Sequence, residues 1–271
     1  MTTPFGPPPQ TRFDVDVSGR DVAFFAENGY LAVDQVTTEE ELEWLSTVYD
    51  ELRGRPASGY LDAVFDLTRP YGTTDSPNLG QLLFPERLVP AIRDTAMWKN
   101  ARRIAAKLLG VPEPEIESWG HLIFKPARRG SETPWHQDEA YWDPALSYHA
   151  VGGWMPLDDA TVDNGCLWFL PGSHRGDVHV HRHLGGDPSV HVLEIVEARD
   201  VSAAVPVPFS AGGMSFHHPR TLHYSRPNVT GRIRRAWANE FQTAPEKRAV
   251  PAHRPWVREG NRALRESAAR R

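Results

Sequence analysis

From about residue 116 onward the chain is cut into short pieces. Runs rich in β-forming residues at 116–125, 148–157, 166–170, 190–196, 203–209, 214–217, 222–225 and 234–243 alternate with breakers such as Asp163-Asn164-Gly165, Pro171-Gly172-Ser173, Gly185-Gly186 and Ala211-Gly212-Gly213. Glycine reaches positive φ at little steric cost, and Asn and Asp close turns through their own side chains. Many short strands at close spacing point to an antiparallel barrel or jelly roll.

The first hundred residues obey a different period. A helix is expected over 21–28, stopped by Gly29, then a strand over 30–36. Thr37 and Glu40 have the spacing of a reciprocal helix cap. The residues after them put Leu42, Leu45, Val48, Tyr49 and Leu52 on one helical face, ended by Gly54. A further helix is expected over 88–109, with Ile92, Met97, Ile104 and Leu108 and a stop at Gly110. The fold class expected is therefore mainly β with N-terminal helices, in one domain over 1–271. Residues 1–12 are Pro-rich and read as an irregular arm. Residues 55–86 have no sustained period but contain Tyr60, Phe65, Tyr71 and Leu82, so they read as a lid with something to pack.

Charge narrows the function. The net charge is −5, yet 246–271 holds eight basic and three acidic residues. An acidic body argues against broad nucleic-acid binding, and the tail reads as a solvated basic segment. No apolar run is long enough to span a membrane. No basic stretch leading into an apolar run opens the sequence, so no signal peptide is expected. Cys166 is the one cysteine; it excludes an internal disulfide, fits a reducing cytoplasm, and reads as a small buried apolar residue.

Twelve histidines raise the question of a metal. In Pro134-Trp135-His136-Gln137-Asp138, side chains two apart on an extended chain face the same way. His136 and Asp138 then offer one imidazole and one carboxylate to one point, while Gln137 faces away or sideways. That is two thirds of the facial triad that leaves three positions open on Fe(II). A third ligand is expected from a later strand. The segment 222–238 reads as two strands around a turn near Asn228, which would set His223 opposite Arg234, with Ser225 on the same face. A guanidinium fork suits the distal carboxylate of a dicarboxylic co-substrate.

Three blocks, WHQD at 135–138, WMPLDDATVDNGCLWFLPGSH at 154–174 and LHYSRPNVTGRIRRA at 222–236, resemble the phytanoyl-CoA dioxygenase family. The likeness extends from about Asp21 to Phe241 and is weak over 37–110. It implies a double-stranded β-helix core of cupin-like jelly-roll type, with Fe(II), 2-oxoglutarate and O2 as cofactor and co-substrates. It implies that His136, Asp138 and His223 hold the iron, and that Arg234 and Ser225 hold 2-oxoglutarate. Gln137, Trp154 and His121 match positions that line the co-substrate. The implied reaction hydroxylates or otherwise oxidises a C–H bond of a small organic substrate, releasing succinate and CO2. An acid at 138 disfavours halogenation, because halogenases of related fold carry a small residue there.

Bland readings stand beside these. His179, His181 and His183 share a strand face but lack a completing acid, and read as a polar edge. His217 and His218 resemble ligands, yet only His223 is followed by Ser and Arg at useful spacing. Trp168 and Phe169 read as core. Tyr141, Trp142 and Tyr148 fit pocket walls or plain packing. A catalytically silent or non-oxidative cupin-like metal protein stays open as an alternative. Substrate identity and oligomeric state are not legible.

Overall fold

The structure is a computed structural model and describes residues 6–54, 64–71, 73 and 77–269. Ser18 opens α1 (Gly19–Asn28): its hydroxyl accepts from Asp21 N while the Asp21 carboxylate takes the Ser18 N–H. Gly29 closes it at φ 78°. Strand β1 (Tyr30–Val33) follows, shorter than the run expected. Helix α2 (Glu39–Gly54) is capped by Thr38, whose hydroxyl accepts from Glu41 N, rather than by Thr37.

The segment expected as a lid is partly sheet. Strands β2 (Val64–Asp66) and β3 (Gly80–Leu83) pair with each other. Residues 55–63, including Tyr60, lie outside the described residues. The helix expected over 88–109 is divided into α3 (Pro85–Leu88), a 3-10 turn at Pro90–Asp94, and α4 (Ala96–Leu109). Pro90 lacks an N–H and pushes Val89 out of helical backbone, so a new start is needed. Thr95 supplies it, accepting from Trp98 N. The buried Glu41 carboxylate takes the next two free N–H groups, those of Ala96 and Met97.

The remaining strands are β4 (Glu117–Lys125), β5 (Thr133–His136), β6 (Leu146–Ser147), β7 (Ala150–Pro156), β8 (Leu167–Phe169), β9 (His181–His183), β10 (Leu193–Ile195), β11 (Val205–Val207), β12 (Met214–His217), β13 (His223–Ser225), β14 (Arg234–Gln242) and β15 (Glu246–Lys247); α5 (Pro255–Ala269) closes the chain. A seven-stranded antiparallel sheet runs β1-β12-β7-β14-β4-β3-β2, and a four-stranded one runs β11-β8-β13-β5. This is the expected jelly roll. Period-2 alternation gives β14 two jobs. Trp237 and Phe241 point outward into a core with Leu45, Val48 and Tyr49 of α2 and Met97 and Ile104 of α4. Ala236 points inward, into a second core with Trp154, Cys166 and Phe169. Each fully buried Leu or Phe there contributes roughly 1.5–3 kcal/mol of transfer free energy.

Two expectations are corrected. Strands β13 and β14 are not a hairpin: β13 lies between β8 and β5, and β14 between β7 and β4. The connection 226–233 is too long for a tight turn and carries the chain from one sheet to the other. Asn228 fixes that crossing, donating to Lys125 O and Arg232 O while accepting from Thr230 N. The basic tail is not merely solvated. Strand β15 pairs with β6, and Arg254 and Trp256 are buried. Trp256 Nε1 donates to Ala140 O at 2.8 Å. The cause is the buried acid Glu139, which needs cations. Among the described residues no helix is long and apolar enough to cross a membrane.

Candidate active site

His136 ends β5 and His223 begins β13, and the two are register partners. Each ring is held the same way. His136 Nδ1 donates to Pro134 O at 2.7 Å, and His223 Nδ1 to Thr221 O at 3.0 Å, in each case a carbonyl two residues back. That bond fixes the tautomer and leaves both Nε2 atoms as free acceptors. Burial lowers the pKa of His136 and pushes that of His223 down to about 3, so both rings are neutral at neutral pH, the form that binds metal.

Asp138 starts the 3-10 turn Asp138–Tyr141 that follows β5. Its Oδ1 stands 3.7 Å from His136 Nε2 and 3.5 Å from His223 Nε2. The three candidate ligand atoms lie within 4.8 Å of one another. Burial alone would raise the Asp138 pKa; the facing His223 and His217 imidazoles overcome it and hold the carboxyl well below the usual range. Two neutral nitrogens and one anionic oxygen, all backed by the fold, fit a divalent iron.

These ligands rim a cavity of about 240 Å³ between the two sheets. Deeper in, Arg234 is 2% exposed. Its guanidinium lies 5.2 Å from the centre of the Trp154 ring, and its Nε and Nη1 have no partner among the described residues. Burial pushes its pKa down to about 10, which still leaves it charged. An unpaired buried cation is costly, so this pole suits a carboxylate. Ser225 lines the same pole, its hydroxyl donating to Gly165 O at 3.2 Å. Lys125, opposite Arg234 on β4, is wholly buried and donates to Ser131 O, Ser225 O and Arg226 O. It braces the backbone that carries Ser225.

The structure thus brings His136, Asp138, His223, Ser225, Arg234, Trp154 and His121 to one cavity. Gln137 is the exception. Alternation turns it away, and its amide donates to Arg220 O while accepting from His179 N. It supports the loop behind the ligands instead of approaching a co-substrate. Tyr141 and Trp142 line the cavity, whereas Tyr148 packs against Trp142. The histidine run lies partly on an edge strand, β9, as expected, but His181 and His183 are buried: the His183 ring sits between Val190 O and Trp256 O, and His181 Nε2 accepts from Gln137 N. Cys166 is fully buried and its thiol is pushed up to about 11, so it is inert. Two cavity residues have roles that the sequence reading does not give them. His217 bonds to Asp138, and Glu240 stands three alternate positions beyond Arg234 on the inner face of β14. Counting 234, 236, 238 and 240 along that strand would have found the second.

Proteins that set two imidazoles and a carboxylate at the rim of a jelly roll, above a lone guanidinium, form the class of non-haem iron oxygenases that use 2-oxoglutarate, and the chain falls in that class. Within it, the chain belongs to the phytanoyl-CoA dioxygenase family, whose pattern matches residues 25–236. It is 35% identical over 142 residues to phytanoyl-CoA dioxygenase domain-containing protein 1 of Bos taurus, covering 51% of this chain and 48% of that protein. The match thus spans about half the length of that relative. It is 25% identical to a phytanoyl-CoA dioxygenase of Arabidopsis thaliana, over 79% of this chain and 85% of the other. The crystal structure of EvdO2 from Micromonospora carbonacea var. aurantiaca, complexed with 2-oxoglutarate, superposes with a TM-score of 0.79 at 36% identity, covering 91% of this chain and 99% of that one.

Proposed function

We propose that this protein oxidises a C–H bond of a small organic molecule, using Fe(II), O2 and 2-oxoglutarate and releasing succinate and CO2. Iron, when bound, supplies the activation of O2 and couples it to loss of CO2 from 2-oxoglutarate. His136, Asp138 and His223 hold the metal on one face and leave the other open. Arg234 grips the distal carboxylate of the co-substrate through its fork, Ser225 adds a hydroxyl, and Trp154 forms the floor beneath. His121 borders the same space from β4. Tyr141, Trp142 and the apolar wall exclude water from the reacting centre. The single cysteine supports a place in a reducing compartment, the cytoplasm.

The observation that carries this reading is the unpaired, buried, charged Arg234 at the far end of the metal cavity. A non-oxidative metal protein has no use for it, and succinate release separates the oxygenase from a silent relative that only binds the co-substrate. The test is conversion of 2-oxoglutarate to succinate by purified protein, with and without Fe(II). Metal-dependent release, abolished in His136→Ala, is expected. Release that persists in His136→Ala overturns the metal assignment.

A further inference from the structure

One carboxyl on the cavity wall has no task in the site above. Glu240 lines the cavity, and its Oε2 is buried without a hydrogen-bond partner among the described residues. Across the strand pairing, Glu240 sits opposite Trp119 on β4 and Gly152 on β7. Gly152 has no side chain to cover it; the space above that glycine is filled by the His217 ring, whose Nε2 would lie 2.7 Å from an added Cβ. His121 is opposite Ala238. It is therefore a diagonal neighbour of Glu240 on the same face, roughly 7–8 Å away. Its Nε2 is also buried without a partner, and its Nδ1 is 2.7 Å from Gln81 Nε2. Two neighbouring residues of one sheet face thus each carry a buried polar atom without a partner among the described residues. Apolar lining of the same cavity comes from Leu67, Leu79, Leu83, Ile123 and Val192. A buried polar group left unpaired is costly, and in a ligand cavity it marks where a ligand atom belongs.

We infer that Glu240 is a specificity-determining residue, and that its carboxyl anchors a hydroxyl on an otherwise apolar substrate skeleton, holding a nearby C–H bond toward the His136–Asp138–His223 rim. The inference rests on the oxygenase reading, which puts the substrate in this cavity. Burial raises the Glu240 pKa well above the ordinary carboxylate range. A protonated carboxyl donates through O–H and accepts through C=O, and a hydroxyl does both in return. An ammonium group, which donates but cannot accept, meets only half of that pairing. Apolar walls accept the carbon skeleton, and the polar spot at Glu240 and His121 sets its orientation.

The experiment begins with calorimetric binding of 2-oxoglutarate to wild-type protein loaded with redox-inert Zn(II). Absence of binding sinks the oxygenase reading and, with it, the inference. With binding established, the same complex is exposed to matched sets of one- and two-ring cyclic alcohols, their deoxygenated parents and the corresponding amines, and contact is read by saturation-transfer NMR. Retention of the alcohols over both other series is expected. Glu240→Gln, which keeps a neutral donor and acceptor, should hold the alcohols within about threefold of wild type; Glu240→Leu should weaken them about tenfold or more. Glu240→Met replaces the leucine variant if that one unfolds at lower temperature than wild type. The inference is overturned, with the oxygenase reading intact, by any of four results: no retained alcohol, equal or better retention of parents or amines, a glutamine variant as impaired as the apolar one, or an apolar variant that keeps the wild-type ranking.

Discussion

His217 Nε2 donates to Asp138 Oδ2 at 2.8 Å, while Asp138 Oδ1 faces the two ligand imidazoles. The two oxygens of one carboxylate are thereby assigned different partners. Oδ2 is tied back to β12, so Asp138 presents one oxygen to a metal instead of two, which keeps three coordination positions open. His217→Phe should weaken Co(II) or Fe(II) binding about 10–100-fold, the usual effect of losing such a supporting bond. Anaerobic titration followed by absorption measures it. Complete loss of binding would make His217 a ligand and not a support.

Arg234 makes two opposite demands. In the ligand-free protein its Nε and Nη1 are buried and unpaired. With 2-oxoglutarate present they gain charge-assisted bonds worth about 1.5–3 kcal/mol each. Arg234→Met should therefore raise the Kd for 2-oxoglutarate about 100-fold or more by calorimetry. The same variant, without ligand, should resist denaturant better than wild type by roughly 1–3 kcal/mol. Arg234→Lys keeps the charge but not the fork, so its Kd should fall between the two. A methionine variant that binds 2-oxoglutarate like wild type would move the co-substrate elsewhere.

The C-terminal segment is clamped to the residue beside a metal ligand. Glu139 accepts from Arg254 Nη2 at 2.6 Å, Arg220 Nε at 2.6 Å and Arg248 Nη2 at 3.2 Å, and Arg254 Nη1 also donates to the Glu139 carbonyl. Burial would raise the Glu139 pKa, but Arg220 and Arg254 pull it below the usual value. Removing one partner of a buried pair typically costs about 3–5 kcal/mol. Arg254→Ala leaves Arg220 and Arg248 on Glu139, so it should lose less, about 1.5–3 kcal/mol, in urea unfolding, and should also weaken metal binding, because the turn Asp138–Tyr141 is loosened. A stability change under about 1 kcal/mol would show that the clamp is ornamental.

Why some of this was legible in the sequence and some was not follows from what is local. His136 and Asp138 share a face by their spacing on one strand, and a short-range rule suffices. The strand-rich second half announced itself through its breakers. Strand partners are not local information: His223 and Arg234 reach one cavity from different sheets, although their symmetric distance from Asn228 suggested direct pairing. Gln137 shows the reverse case: the family likeness implies a place beside the co-substrate, whereas alternation along the strand turns its amide to Arg220 O and His179 N. By sequence His217 looks like a rival ligand to His223; its bond to Asp138 depends on the register of β12 against β7. Nothing near 246–271 signals that Glu139, more than a hundred residues earlier, draws Arg254 inward.

Acid should unfold the protein through buried histidines that are not themselves ligands. His181 Nδ1 donates to His179 O at 2.8 Å, and its Nε2 accepts from Gln137 N at 3.2 Å. His218 Nδ1 accepts from Arg220 N at 3.1 Å. Both arrangements need a neutral ring, and burial pushes each pKa down to about 4. The unfolded chain titrates near 6.5. As pH falls, the unfolded state takes the proton first, so stability is complete above about pH 6.5, declines steadily toward pH 4, and changes no further below that on account of these groups. Urea unfolding of the metal-free protein at pH 7, 5.5 and 4.5 should show the decline. His181→Gln, which can keep both bonds without titrating, should flatten the slope by up to about one proton. An unchanged slope would mean that His181 is already protonated in the folded protein, and that its bond from Gln137 N does not form.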